Sequence, residues 1–153
     1  MSKANINKQR YRVLIDNTSE VVLIFDLELG RFIDANQAAI DLLLYSREEL
    51  FQFNPISISP SRYESVTAQE MATRKMQEAL AGGNPFFEWI HLDRNGREIP
   101  CEVRLIRFPP YDRQVIRASI IDLTDKKKIE DALAESEERL QLALKATGLG
   151  CYD

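Results

Sequence analysis

The sequence predicts an α+β domain built on a five-stranded antiparallel sheet, with helices packed on one face and a helix at each end. Three observations lead there. Two short β-rich runs near the start are joined by a few residues that include Gly30. Three more β-rich runs come late, after a long stretch with helical spacing. Strands and helices therefore come in blocks and do not alternate, which points to an antiparallel sheet and not a parallel one.

Taken in order, Tyr11, Leu14 and Ile15 predict a short amphipathic helix within residues 1–19. Val21 to Phe25 is a continuous apolar run ended by Asp26, as in a strand buried on both faces. Arg31 to Ala35 forms the second strand of a hairpin. Asn36 opens a helix whose first-turn N–H groups its amide oxygen satisfies, with Ala39, Ile40, Leu43 and Leu44 as the apolar stripe. Ser46 and Glu49 have capping-box spacing and open another short helix. Residues 51–62, with two prolines and three serines, read as a loop. A longer helix is expected from Tyr63 to Leu80, on Ala68, Ala72, Met76 and Ala79 or Leu80, and Gly82 with Gly83 stops it.

Phe86 to Leu92 and Glu98 to Phe108 predict two strands joined at Asn95-Gly96, a favoured pair in tight hairpins because both residues tolerate positive φ. Cys101, Val103 and Leu105 alternate with Glu102 and Arg104, as in a half-covered strand. Pro109-Pro110-Tyr111-Asp112 turns the chain, and Gln114 to Asp122 completes the sheet. Residues 125–147 are rich in Lys, Glu, Ala and Leu and lack Gly and Pro. Ile129, Leu133 and Leu140 fall on a heptad seam, with Lys126 and Ser136 weakening it. The run covers about two to three heptads, so two readings stand: a helix that pairs with a second copy, or one that docks on its own domain.

The 153 residues suit one domain with an added helix. At 44% apolar and 29% charged the chain has an ordinary globular composition, and its formal charge of −4 argues against nucleic acid. No stretch approaches the ~18–20 apolar residues of a membrane span, and no apolar core of a signal peptide follows Met1. Cys101 and Cys151 suggest no disulfide framework, and the expectation is two free thiols in a cytoplasmic protein.

Several segments taken together resemble the PAS family. Asp26, Gly30 and Ile33-Asp34-Ala35-Asn36-Gln37-Ala38-Ala39 resemble its opening hairpin and first helix. Tyr45-Ser46-Arg47-Glu48-Glu49-Leu50 is similar to its next helix. Phe87-Glu88-Trp89, through Asp93-Arg94-Asn95-Gly96-Arg97-Glu98-Ile99, is similar to its central hairpin. Asp122-Leu123-Thr124 resembles the family's ending, where the last strand becomes a signalling helix. The resemblance runs from Tyr11 to Thr124 and implies a PAS domain over residues 20–124, a signalling linker helix over 125–147, and the start of a second such domain at 148–153. The last rests on residues 139–150, which are similar to the Arg12-Val13-Leu14-Ile15-Asp16-Asn17-Thr18 segment.

The resemblance also implies a sensory cavity between sheet and helices. Its candidate wall is Ile24, Ile33, Leu43, Met71, Met76, Trp89, Val103, Leu105, Ile116, Ala118 and Ile120, all of which are equally at home in an ordinary core. A one-residue slip would reverse any of the strand assignments. It further implies that Asp122 and Thr124 anchor the strand-to-helix junction, with Thr124 capping the helix that begins at Asp125. Haem-binding relatives carry a histidine on the long helix, and covalent flavin relatives a cysteine after the first helices; residues 63–80 and 51–62 have neither. The only histidine, His91, falls in a strand and is expected to face solvent or to be hydrogen-bonded. No cofactor is expected, although Trp89 leaves a non-covalent flavin open. No nucleophile–base pair, metal cluster or phosphate loop is evident, so no catalysis is expected of this chain. The expected partners are a second copy of the chain and a downstream effector, such as a histidine kinase or a cyclic-dinucleotide enzyme. The alternative is a relay module with a filled core.

Overall fold

The structure, a computed structural model, describes residues 20–109 and 112–147. Its elements are β1 (Val21–Asp26), β2 (Arg31–Ala35), α1 (Gln37–Leu43), α2 (Arg47–Leu50), a 3-10 turn (Ser61–Glu64), α3 (Val66–Leu80), β3 (Phe86–Leu92), β4 (Glu98–Arg107), β5 (Val115–Asp122) and α4 (Thr124–Thr147). The five strands form one sheet in the order β2-β1-β5-β4-β3, and all neighbours are antiparallel. The helix expected within residues 1–19 and the segment 148–153 lie outside the described residues. Residues 20–122 belong to one compact unit and α4 to a second.

Inner-row residues line up across the sheet. Leu105 pairs with Ala118 and Ala118 with Leu23, while Val103 pairs with Ile120 and Ile120 with Val21. These residues meet Ala39, Leu43, Leu50, Ile58 and Ala79 from the helical segment in one buried cluster. The opposite face holds a smaller cluster, Val22, Ile24 and Val115, against Ile33 and Phe108.

Asn36 ties three elements together. Its backbone N–H donates to the Val22 carbonyl (3.0 Å), and its side-chain Oδ1 accepts from Val22 N–H (3.0 Å) and from Ala39 N–H (3.1 Å). Its Nδ2 donates to the Glu20 carbonyl at 2.7 Å. One buried side chain thus caps α1 and extends the pairing of β1. The capping box of α2 forms as expected between Ser46 and Glu49.

Three local expectations change. Leu44 leaves the α1 stripe: it ends the helix in the left-handed conformation at φ 63°, where it caps back to Ile40. The long helix begins at Val66, capped by Ser65, because Ser61 to Glu64 form the 3-10 turn first. The β3–β4 connection is not a two-residue turn: only Gly96 has positive φ (81°). Asp93 organises a longer loop instead, its Oδ1 accepting from Asn95 N–H (2.9 Å) and Arg97 N–H (3.0 Å). A side chain that satisfies two loop donors removes the need for the mirror-image turn.

The segment after α2 covers both free edges of the sheet. Phe53 carbonyl accepts from Phe32 N–H on β2 (2.9 Å), and Ile58 carbonyl accepts from Leu92 N–H on β3 (2.7 Å). Tyr63 Oη accepts from Ile90 N–H at 3.3 Å. Edge strands left bare template further pairing, so this loop protects the fold as well as closing its inner face.

Replacing Asn36 strands the buried N–H of Val22 and uncaps α1. We expect Asn36→Ala to cost about 2–4 kcal/mol, read as a lower urea midpoint at unchanged slope.

Candidate functional site

A small, partly enclosed space lies between the inner sheet face and α3. It measures about 50 Å³ and is lined by Leu23, Phe32, Pro55, Ala72, Met76, Phe87, Trp89, His91, Val103, Leu105, Ala118 and Ile120. Every strand contributes, because inward positions on adjacent strands form continuous rows. Of the candidate wall residues, the structure brings Met76, Trp89, Val103, Leu105, Ala118 and Ile120 together here. Leu43, Met71 and Ile116 belong to the surrounding core but do not reach the cavity.

Ile24 and Ile33 are corrections, since both belong to the opposite face of the sheet. β1 is buried throughout, so its composition does not reveal which residues point inward. Opposite it, the register shifts between Ile24 and Phe25: Asp34 pairs with Ile24 and Phe32 with Phe25, which leaves Ile33 as the extra residue. Carrying the Cys101–Leu105 alternation across β5 would have pointed to Leu23. Pro55, Ala72 and Phe87 were also missed, along with Phe32 and His91. Ala72 was already in the predicted helical stripe and Phe87 lies two residues from Trp89 on the same strand. Pro55 carried no periodic signal at all.

Trp89 is fixed at the cavity wall. Its indole Nε1–H donates to Ser59 Oγ at 2.8 Å, and Ser59 Oγ donates to the Pro55 carbonyl at 2.5 Å. Tyr63 stacks on the indole with ring centres 3.9 Å apart, and Phe87 meets it edge-on at 6.1 Å. The indole is thus paired in its polar and in its π interactions. Arg94 performs a similar tie at the hairpin end: its N–H donates to Leu43 carbonyl and its Nε to Leu44 carbonyl, both at 2.9 Å. Its guanidinium also pairs with Glu49 and lies over the Tyr45 ring.

His91 departs most from expectation. It is only 4% exposed, and neither ring nitrogen has a hydrogen-bond partner among the described residues. The nearby Ile58 carbonyl, which also accepts from Leu92 N–H, favours the charged ring. Burial dominates and pulls the imidazole down to about 4, so the ring is neutral near pH 7. Cys101 is also buried, and burial with the Asp122 carboxylate pushes its thiol up to about 12, which makes it a packing residue and not a nucleophile. Among the described residues no group of His, Cys, Asp and Glu is placed to hold a metal, and no helix is long and apolar enough to cross a membrane.

The depressed His91 value has a thermodynamic consequence. Unfolding returns the ring to an ordinary value of 6.5, so its contribution to stability is whole above that pH and is lost as the pH falls toward 4. Relative to a His91→Phe variant, the wild type should lose about 2 kcal/mol between pH 7 and pH 5, measured by denaturant unfolding at each pH.

Comparison with known proteins completes the description. The chain is 28% identical over 139 residues to a methyl sulfide methyltransferase-associated sensor of Methanosarcina acetivorans, covering 91% of this chain and 13% of that protein. It is 23% identical to the sensor histidine kinase TmoS of Ectopseudomonas mendocina, covering 94% of this chain and 15% of the relative. This chain therefore spans less than a sixth of the length of either. The solved PAS domain of a Colwellia psychrerythraea protein superposes with a TM-score of 0.64 at 21% identity, covering 78% of this chain and 98% of that one. A profile described as the PAS fold matches residues 15–128, and on that match the chain belongs to the PAS fold family.

Proposed function

We propose that this chain is the sensing and relay part of a longer signalling protein: the occupancy of its inner cavity biases α4, which carries the signal to an effector through a dimer. One observation carries the reading. β5, which supplies Ala118 and Ile120 to the cavity wall, is separated from α4 by Leu123 alone. A shift of that strand is thus delivered to the helix with no slack loop between them.

The size of the cavity supports a small occupant. About 50 Å³ is far below the ~300–1,000 Å³ of pockets for drug-sized ligands, and so weighs against a flavin or a haem. The effector is proposed from the relatives, one of which is named a sensor histidine kinase.

The helix supports the dimer. Within α4, Ile129, Leu133 and Leu140 are 69%, 59% and 61% exposed, an apolar seam that water does not favour. Lys126 with Glu130, and Arg139 with Glu135, pair along the helix at (i, i+4) spacing and keep it helical without covering that seam. A seam interrupted by Lys126 and Ser136 suits two arrangements of similar energy, which a small input then biases.

The parent protein should sediment as a dimer at high micromolar concentration, and Leu133→Asp with Leu140→Asp should convert it to a folded monomer. A monomeric parent refutes the dimer.

The second test concerns the junction. α4 begins at Thr124, one residue before the expected start, and Lys127 N–H donates to Leu123 carbonyl at 2.8 Å, so Thr124 sits in the first turn. Thr124 is therefore not at the capping position expected of it, and Thr124→Ala should cost about 0.5 kcal/mol or less yet uncouple output from stimulus in the full-length protein. Normal stimulus-dependent output would refute the relay.

A further inference from the structure

The surface that the cavity presents is apolar throughout, with both ring nitrogens of His91 buried behind it. None of its side chains is charged near pH 7, since the only titratable group there, His91, is neutral when buried. A charged guest would lose its hydration and find no counter-charge. The volume corresponds to about three or four water-sized groups. His91, a lining residue, holds two buried nitrogens that lack partners just behind that surface. Buried polar groups are nearly always satisfied, so an orphaned pair at a cavity wall points to a partner that arrives from elsewhere.

We propose that the cavity takes an uncharged, mostly apolar molecule of about three or four heavy atoms, whose one hydrogen-bonding group pairs with the His91 imidazole. The proposal rests on reading the cavity as the sensory site and specifies what it senses. A neutral imidazole offers one donor and one acceptor, so a small alcohol or carbonyl compound satisfies it, while a hydrocarbon of the same size does not. Both nitrogens are closed off in the empty form, so pairing requires the ring to turn, and occupancy then acts directly on β3.

The way in is marked by a second, open groove lined by Phe25, Asn54, Ile56, Gln69 and Thr73 among others. It shares Pro55, Ala72 and Met76 with the cavity, so those three form the partition between them. Met76 is the flexible member, an unbranched side chain able to swing aside.

The test uses the whole 153-residue chain, with 2-propanol as the hydrogen-bonding probe and xenon as a probe that has no such group. Binding is followed by NMR at Leu105, Ala118 and the His91 ring nitrogens. We expect both probes to perturb Leu105 and Ala118, and 2-propanol alone to shift the His91 nitrogens. His91→Phe should retain xenon but weaken 2-propanol at least about tenfold, and Ala118→Ile should exclude both. If xenon enters while 2-propanol does not, or if 2-propanol leaves the His91 nitrogens unmoved, the ligand class is wrong and the cavity reading stands. If neither probe enters, both fail. The nitrogen shifts are read on the wild type, so the outcome does not depend on the variants folding.

Discussion

Val22 is held at both ends of its peptide pairing by one residue: Asn36 accepts its N–H through Oδ1 and donates its own N–H to the Val22 carbonyl. The five residues of β1 before Asp26 are apolar and buried on both faces, so their side chains alone do not resist a slip of one residue. Such a slip would exchange Leu23 and Phe25 for Val22 and Ile24 at the inner face and rebuild the cavity wall. The amide fixes the strand where composition leaves it ambiguous, and the same oxygen starts α1. The register of the strand and the position of the helix above it therefore have a common origin.

The loop between α2 and α3 works in a comparable way on the other side. It reaches β2 through Phe53, β3 through Ile58 and Tyr63, and the indole of Trp89 through Ser59. Pro55 of that loop is also part of the cavity partition. A segment that seals two sheet edges and borders the cavity cannot shift at one point without straining its bonds at the others, which couples the interior to the edges of the sheet.

Much of this was legible in the sequence, for physical reasons. The capping box at Ser46, the Asn36 cap and the alternation in β4 are local, and local chemistry has little freedom to be overruled. The inward face of β1 was not legible, since that strand has no polar residue until Asp26 to mark its outer side. The loop at Asp93 was misread because Asn-Gly is a strong turn signal by itself, yet a carboxylate two residues earlier organises the backbone differently. His91 was misjudged because an imidazole in an alternating strand is normally solvated or paired, and only tertiary packing shows this one to be neither. In the same way the cavity's apolar residues were recognisable as core, but a space between them depends on how α3 and Pro55 lie over the sheet.

The pairing of β1 with β5 has a consequence for how such a chain is made. Strands adjacent in the sheet are separated by most of the domain in sequence, since Val21 lies opposite Ile120. As the polypeptide emerges during synthesis, the first hairpin has one side open until the last strand appears. Contacts of this range slow folding and expose unpaired backbone in the meantime. The domain closes only when β5 is in place, at the moment α4 begins to emerge. The helix thus never precedes the sheet from which it runs on.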